Sequence, residues 1–330
     1  MAKFVDEISY GFEHVAIKQK KNICKSRLDT NIESEIVRGI KRPIPLIASN
    51  MSTVCNSDFC IRLYNLGALG IMHRAASEEH IISEINCIAQ YCFIVAASIG
   101  IGDGQFDFAK KLVNAGANIL VIDIAHGYCD EVIELGRKIK NNIPNVKIIL
   151  GNTTNVEMLR EVSDFCDGLK VGIAQGMACE TKNTAGCTEK MFSVISNFYE
   201  EAKRLGLPII SDGSIREPAD FVKAIGAGAC SVMAGSIFAR CPESAAEQVE
   251  INGKIKKIYA GMASRYVQEK WRGGLKNGTC PEGKVVHMDI GESVNNLLER
   301  YSGALRSGIT YAGGKDIKSF QENVEFIRIL

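Results

Sequence analysis

Short apolar runs recur at similar intervals along this chain, and most are followed by a longer stretch with helical periodicity. The eight runs are Ile44–Ala48, Leu69–Met72, Phe93–Ser98, Ile119–Ile124, Val146–Leu150, Leu169–Ile173, Pro208–Ser211 and Cys230–Ala234. The amphipathic stretches between them include Glu78–Gln90, Phe106–Asn114, Asp130–Lys140 and Ala219–Ile225. Strands that are apolar throughout are typical of a parallel sheet covered on its outer face. Eight such units predict a (β/α)₈ barrel of the α/β class, and a doubly wound open sheet is the alternative.

The chain has 330 residues, which is a normal length for one such barrel with additions. We predict a single domain over residues 1–330, with a flap at about 261–290 and a C-terminal segment, 291–330, that packs back on the barrel. No internal repeat or low-complexity tract argues for a second domain.

The part of the chain after the eighth run departs from the barrel pattern. Ile251–Ala260 is compatible with a small hairpin around Asn252-Gly253. Gly261–Lys284 is polar and rich in glycine, which favours a mobile flap. A helix is expected over Glu292–Arg306, and the final letters FIRIL read as a strand.

Composition excludes several classes of function. The formal net charge is +1, so nothing favours a nucleic-acid or membrane-surface partner. No segment approaches the roughly 18 unbroken apolar residues of a membrane helix, and the N-terminus lacks the apolar region of a secretory signal. The twelve cysteines show no zinc-ligand spacing, so we interpret them mostly as reduced core residues of a cytoplasmic protein.

Chemically useful residues collect where the predicted strands end. These segments are Ser49-Asn50-Met51, His73-Arg74, Asp123 with His126-Gly127, Gly151-Asn152, Asp212-Gly213-Ser214 and Gly235-Ser236. In a barrel they would converge on one pocket at the carboxyl ends of the strands. The glycine and serine amides after the seventh and eighth strands precede helices, which favours a phosphate site there.

The loop after the sixth strand lies within residues 170–186 and carries Cys179, which is flanked by Glu180, Thr181 and Lys182. A thiolate is a strong nucleophile, and loop amides or nearby cations can favour it. A loop cysteine without a chemical role is the alternative.

Several of these segments together resemble the IMP dehydrogenase/GMP reductase family over essentially the whole chain. The matching pieces are Ser49-Asn50-Met51, Ile71-Met72-His73-Arg74, Ile122-Asp123-Ile124-Ala125-His126-Gly127, Gly151-Asn152, the cysteine loop, Ser211-Asp212-Gly213, Tyr259 with Gly261-Met262, and Tyr311-Ala312-Gly313-Gly314. The resemblance implies a (β/α)₈ barrel, usually a homotetramer, that binds a purine 5′-monophosphate and a nicotinamide cofactor.

Two features favour the reductase branch of the family. The segment from Arg74 to Phe93 is too short for the regulatory CBS pair that many of the dehydrogenases carry, and Glu282-Gly283-Lys284 matches the EGK signature of the reductases. Arg265-Tyr266 is similar in letters to the water-activating pair of the dehydrogenases, but it lies too early in the flap. A compact IMP dehydrogenase, a non-catalytic nucleotide-binding paralogue and, more remotely, a flavin-type phosphate-binding barrel stay open.

By this resemblance, Cys179 attacks C2 of GMP and expels ammonia, NADPH reduces the adduct, and IMP leaves. Thr181 and Glu282 match the pair that faces the leaving amine, with Glu282 as the acid and base. The residues implied for GMP or IMP are Ser49, Met51, Asp212, Gly213, Ser214, Gly235, Ser236, Gly261, Met262 and Ser264. Those implied for the cofactor side are Asp123, Ala125, His126, Asn152 and Arg74, and His73 is interpreted as structural or cofactor-side. The carbonyls of Ala174, Gly176 and Cys179 correspond to a potassium site in relatives.

The cysteine loop and the flap depart from the family pattern. Ala174 replaces a glycine whose backbone is expected to need a positive φ, and Met177 replaces a serine that normally touches the phosphate. Glu180 adds a negative charge beside the nucleophile, which is expected to raise the thiol pKa unless Lys182 offsets it. Thr279 stands where many reductases have an arginine. A modified or deoxy guanine nucleotide is therefore an alternative substrate.

Overall fold

The computed structural model describes residues 5, 8–275 and 277–329. Residues 1–4, 6, 7, 276 and 330 lie outside it, including part of the N-terminal stretch on which the expectation about a secretory signal rests. None of the described helices combines the length and the apolar character needed to cross a bilayer.

Eight parallel strands close into a barrel, which confirms the predicted fold class. They are β1 (Leu46–Ala48), β2 (Leu69–Met72), β3 (Ala96–Ile99), β4 (Ile119–Asp123), β5 (Lys147–Thr153), β6 (Gly168–Val171), β7 (Ile209–Asp212) and β8 (Ser231–Ala234). Each strand pairs with its neighbours in sequence, and β8 closes the ring by pairing with β1 in the register Val232↔Leu46. All eight predicted strands are present. The third begins at Ala96 rather than Phe93, because Phe93 is 89% exposed.

Helices alternate with the strands on the outside of the barrel. The longer ones are Ser57–Asn65, Glu78–Ala89, Gln105–Asn114, Asp130–Asn142, Met191–Leu205, Pro218–Gly226, Arg265–Arg272 and Val294–Tyr311. Shorter helices are Glu157–Val162, Thr181–Thr184, Ser236–Ala239 and Ile317–Asn323, with 3₁₀ turns at Phe12–His14 and Arg27–Asp29. The predicted C-terminal helix is confirmed, although it begins at Val294 and continues to Tyr311.

Alternate side chains of the strands enter two separate cores. Ile47, Ile71 and Ile149 point into the barrel, whereas Leu46 and Leu150 pack against the outer helices. A hairpin formed by Ser34–Val37 and Ile40–Arg42 adds Ile36 and Val37 to the inner core. In β6, Leu169 and Val171 belong to the outer core, so the parity of the strand turns Lys170 inward.

Besides the hairpin of Ser34–Val37 and Ile40–Arg42, two further small sheets lie outside the barrel. Val15–Ile17 pairs with Phe326–Arg328, which confirms the predicted final strand. The predicted hairpin is also confirmed: Gln248–Ile251 pairs with Lys254–Ala260, and Val285–Asp289 adds an unpredicted third strand. The flap therefore ends in a strand and contains the helix Arg265–Arg272, whereas the sequence analysis treated it as a loop. The single-domain assignment stays a prediction.

The cysteines are less buried than predicted. Five of the twelve are buried, namely Cys55, Cys60, Cys92, Cys166 and Cys241, while Cys187 and Cys280 are exposed. The expectation that most cysteines are core residues was therefore wrong, because several of them lie in loops or at helix ends rather than on core-facing positions.

Candidate active site

A cavity of about 290 Å³ opens at the carboxyl ends of the strands. Seven of the eight strands or the segments after them contribute to its wall, and the segment after Lys254–Ala260 covers one side. Its size is close to that of small-molecule pockets, which begin at about 300 Å³. Each strand-end segment predicted to converge contributes at least one residue to this cavity. The prediction was wrong for individual members that do not line it, namely His73, His126, Gly127, Gly151, Ser214 and Ser236.

The three predicted catalytic residues meet at this cavity. The sulfur of Cys179 lies 3.3 Å from Oγ1 of Thr181. The same hydroxyl donates a hydrogen bond of 2.7 Å to Oε2 of Glu282, which comes from the flap, about one hundred positions further along the chain. A thiol, a hydroxyl and a carboxylate are therefore connected in one hydrogen-bonded row, formed by Cys179, Thr181 and Glu282.

Main-chain contacts hold the flap against the cysteine loop. The amide of Glu180 donates to the carbonyl of Glu282 (2.8 Å), and the amide of Lys284 donates to the carbonyl of Ala178 (2.9 Å). Between them Gly283 packs so closely that a Cβ there would lie 2.7 Å from the amide nitrogen of Ser264. Glycine is required at this position because only it allows such an approach.

The carboxylate of Glu180 faces the flap. It forms an ion pair of 2.5 Å with Lys284 and accepts a hydrogen bond of 2.8 Å from Asn183. These hydrogen bonds, the first from Lys284, lower the pKa of Glu180. The expectation that Lys182 offsets this charge is corrected: Lys284 is the principal partner, and Lys182 contributes less.

Lys170 organises the floor of the cavity. Its side chain is 2% exposed, and Nζ lies 2.7 Å from Asp123 and 2.6 Å from Asp212. Nζ also donates to the amide oxygen of Asn152, whose nitrogen donates to Asp212 (2.9 Å). One buried cation thus connects Asp123 and Asn152, implied for the cofactor, with Asp212, implied for the substrate.

Electrostatics keep this cluster charged. Burial opposes the ammonium of Lys170, but the attraction of Asp123 and Asp212 outweighs it and raises the pKa of Lys170. Burial also opposes ionisation of Asp123, but the attraction of Lys170 and Arg74 exceeds it and lowers the pKa of that carboxyl. Ionised carboxylates at the floor can accept hydrogen bonds from hydroxyl or amide groups of a ligand.

The side of the cavity implied for the cofactor is largely assembled. Arg74, Asp123, Ala125 and Asn152 line it, and Arg74 donates to the carbonyl of Asp123 (3.1 Å). Nε of Arg74 is buried without a hydrogen-bond partner among the described residues, so this wall retains a donor for a polar group. His126 is exposed and lies outside the cavity wall.

Most of the residues implied for the substrate also line the cavity. They are Ser49, Met51, Asp212, Gly213, Gly235, Gly261 and Met262. Tyr259, which the sequence analysis assigned to no role, is buried beside Gly235: a Cβ on this glycine would lie 2.3 Å from the tyrosine hydroxyl.

Three implied serines lie behind the cavity wall in the described structure. Ser214 has a φ of 58° and donates through Oγ to the side chain of Gln175 (2.6 Å). Ser264 caps the helix Arg265–Arg272 by accepting from the amide of Val267 (3.3 Å). Ser236 begins the short helix Ser236–Ala239. The hydroxyls of Ser214 and Ser264 thus have protein partners, so a ligand contact of these two residues would come through their main chains.

The departures in the cysteine loop have structural outcomes. Ala174 adopts a φ of 60°, so the left-handed conformation is kept without a glycine. Met177 is 41% exposed and lies outside the cavity. The carbonyl of Gly176 accepts from the amide of Cys179 (3.0 Å). Potassium at Ala174, Gly176 and Cys179 stays a prediction.

Arg265 and Tyr266 face away from the cavity. Arg265 is paired with Glu269 on the same helix, and Tyr266 donates to Glu247 (2.9 Å). Their placement agrees with the interpretation that their likeness to the dehydrogenase pair is coincidental.

Sequence reasoning gave no role in the site to Lys170, Gln175, Tyr259 and Gln268, which are parts of the cavity wall, whereas Asn50 lies there as expected from the end of the first strand. One signal was available for Lys170, because a lysine flanked by apolar residues in a buried strand requires acidic partners. Gln268 is different: its side chain donates to the carbonyl of Met262 (2.8 Å) from a helix that was not predicted.

Comparison with known proteins supports the resemblance noted in the sequence. The family described as "IMP dehydrogenase / GMP reductase domain" matches residues 9–330. Similar curated proteins include those named GMP reductase from Klebsiella pneumoniae subsp. pneumoniae, Shigella flexneri and Enterobacter sp. (strain 638). Each is 31% identical to this chain, and the similarity covers 98% of this chain and 96% of the relative.

Proposed function

Since this chain belongs to the IMP dehydrogenase/GMP reductase family, we propose that it is a GMP reductase, which converts GMP into IMP and ammonia with NADPH as the reductant. The observation that carries the proposal is the row formed by Cys179, Thr181 and Glu282 at the mouth of the barrel. A nucleophile alone is common on loops, but a nucleophile joined to an acid through a hydroxyl fits the removal of an amine.

The row supplies a path for one proton. Thr181 donates to Glu282, so its lone pairs are available to the thiol of Cys179 at 3.3 Å. Proton transfer along this path leaves a thiolate and a protonated Glu282. The thiolate is the nucleophile, and the carboxylic acid is the proton donor that an amine needs before it can leave as ammonia.

The covalent step then balances as follows. The sulfur of Cys179 forms a bond to C2 of GMP, the bond from C2 to the 2-amino nitrogen breaks, and ammonia departs with the one proton that Glu282 received from the thiol. The product of this step is a thioimidate on Cys179. Bound NADPH would supply the electron pair and the hydrogen that C2 gains in IMP. Release of the sulfur restores Cys179.

Asp212 is proposed to bind the ribose of GMP. A carboxylate can accept hydrogen bonds from both vicinal hydroxyls, and the ion pair with Lys170 fixes its position (2.6 Å). The phosphate is assigned to the turns at Gly213-Ser214 and Gly235-Ser236, beside the hydroxyl of Tyr259. The purine is assigned to the turn Gly261–Ser264 and to the segment Ser49–Met51.

The nicotinamide end of the cofactor is proposed to lie against Asp123, Ala125 and Asn152. The buried, unpartnered Nε of Arg74 on this wall fits a polar group of the cofactor. His126 is retained as a contact at the outer edge. NADPH rather than NADH, a homotetramer, potassium and a cytoplasmic location all remain predictions.

A direct assay tests the proposal. The purified protein is incubated with GMP and NADPH, and the NADPH absorbance is followed while ammonia and IMP are measured. We expect equal amounts of NADPH consumed and ammonia formed. Cys179→Ala should abolish turnover, whereas Cys187→Ala, a matched change of an exposed cysteine just after the same loop, should leave it intact.

Two outcomes would contradict the proposal. Formation of NADH from IMP and NAD, without reduction of GMP, would assign the protein to the dehydrogenase branch. Tight binding of GMP without turnover in either direction would favour the non-catalytic paralogue or a modified guanine nucleotide as substrate.

A further inference from the structure

A second cavity lies on the other side of the flap helix Arg265–Arg272. Its volume is about 320 Å³, and it is enclosed by the segment after β1, the end of β2, the helix Glu78–Ala89 and the outer face of the flap helix. The mechanism described above uses no residue of this outer cavity. Its volume falls in the range of small-molecule sites.

Two aromatic rings at the outer cavity are nearly parallel. His80 and Trp271 have an interplanar angle of 17° and ring centroids 6.5 Å apart. This separation is slightly less than twice the roughly 3.5 Å at which carbon atoms make optimal contact, so a flat ring inserted between them would touch both faces once these exposed side chains move apart by about 0.5 Å. Both side chains are accessible, and 38% of Trp271 is exposed.

A buried donor also borders the outer cavity. His73 is 5% exposed, and its Nδ1 accepts a hydrogen bond of 3.1 Å from the amide of Ala75. Burial lowers the pKa of His73 to about 4, so near neutral pH its single proton is on Nε2. No residue in 8–275 or 277–329 forms a hydrogen bond with this Nε2, which leaves it for a ligand acceptor.

Charge at the outer cavity disfavours an anion. Asp58, Glu84 and Glu247 line it, and its one lysine, Lys270, is already paired with Glu247. One oxygen of Glu84 accepts from the amide of Ser57 (2.7 Å), and the other can accept from an amine. A phosphate group would meet uncompensated negative charge.

We propose that the outer cavity binds a phosphate-free nitrogen heterocycle, a nucleobase or nucleoside, stacked between His80 and Trp271. A ring nitrogen of the ligand accepts from Nε2 of His73, and an exocyclic amine donates to Glu84. This inference goes beyond the proposed reductase activity and does not depend on it.

Trp271 provides the test, because it is the single tryptophan of the chain. Adenosine is titrated into the intact protein, and the tryptophan emission is recorded with and without saturating GMP. We expect saturable quenching that GMP does not abolish, and binding of AMP at least several-fold weaker than that of adenosine. Quenching that disappears with GMP would place the ligand in the main cavity and overturn the proposal.

Variants of His80 separate stacking from other effects. Base stacking is worth about 1–3 kcal/mol, so His80→Ala should weaken adenosine about tenfold. His80→Phe should retain binding, and His287→Ala, a matched change of another exposed histidine, should have no effect. Equal affinities in the His80→Ala and His287→Ala proteins, no saturable quenching at millimolar adenosine, or AMP binding as tightly as adenosine would each refute the site. None of these readouts requires turnover, so a failed reductase assay does not affect them.

Discussion

Replacement of Lys170 by methionine tests whether the buried cation holds the cavity floor together. Methionine keeps an unbranched side chain of similar length but leaves Asp123 and Asp212 without the ammonium that lies 2.7 and 2.6 Å from them. Removal of one partner from a buried ion pair costs about 3–5 kcal/mol. Because the side chains of these two carboxylates are 21% and 20% exposed, water offsets part of this, and we expect a loss of about 3 kcal/mol near pH 8.

The pH dependence has a definite sign. In the native protein the pKa of Asp123 is lowered, so its contribution to stability is present above its unfolded pKa, about 3.9, and is lost as the pH falls through its folded pKa. In the variant, burial and the neighbouring carboxylate Asp212 raise that pKa. The folded variant then takes up a proton before the unfolded chain does, so its stability rises as the pH falls. The deficit of the Lys170→Met variant in free energy of unfolding, relative to the native protein, should therefore be smaller near pH 5 than near pH 8.

Urea unfolding at these two pH values, followed by circular dichroism, measures the deficit. Lys257→Met is the matched control, because Lys257 is 1% exposed but donates only to uncharged oxygens of Pro242, Ser244 and Ala246. Its deficit should be the same at both pH values. A Lys170→Met deficit under about 1 kcal/mol, or one that does not change with pH, would refute the argument that the carboxylates depend on Lys170.

Further predictions concern the loops around the cavity. Thr181→Val removes the hydroxyl between Cys179 and Glu282, so kcat for GMP reduction should fall about 100-fold while the GMP dissociation constant from equilibrium binding changes little. Glu180→Gln breaks the ion pair with Lys284, so the dependence of kcat on salt concentration should become weaker; an unchanged salt profile would count against this role of the pair. Ser214 has a φ of 58°, a conformation that glycine adopts more easily than alanine. In urea unfolding, the free energy of unfolding of Ser214→Ala should therefore be about 1 kcal/mol lower than that of Ser214→Gly; the reverse order would show that this backbone is not strained.

The barrel could be predicted from the sequence because its strands are buried on both faces. Runs such as Leu69–Met72 are apolar at every position, and in a chain that alternates strands with helices this pattern is seldom found outside a parallel sheet. In such a barrel the carboxyl ends of all strands lie at the same end, which is why Cys179 and Asp212 could be expected at one pocket before any distance was known.

Side-chain direction limited the prediction of the site. Lys170 points into the barrel because of strand parity, and a shift of one residue in the pairing register of β6 would have turned it outward. The predicted run Leu169–Ile173 did not specify that register. The flap helix Arg265–Arg272 was missed for a different reason: its N-terminal cap, Ser264, was read as a purine contact, and the glycines that follow the helix dominated the interpretation.

The attachment of the flap has a consequence for how the protein loses activity. Glu282 is held beside Thr181 by main-chain hydrogen bonds at Glu180 and Lys284 and by one partly exposed ion pair, whereas Cys179 lies on the loop that directly follows the barrel strand β6. Proteins open in cooperative units of unequal free energy, and a segment with few buried contacts opens first. Glu282, the proposed general acid, is therefore expected to belong to a less stable unit than Cys179, the proposed nucleophile. At a low concentration of denaturant, the flap should therefore open before the barrel unfolds. Turnover should then be lost while the barrel, and the strand that precedes Cys179, are still folded.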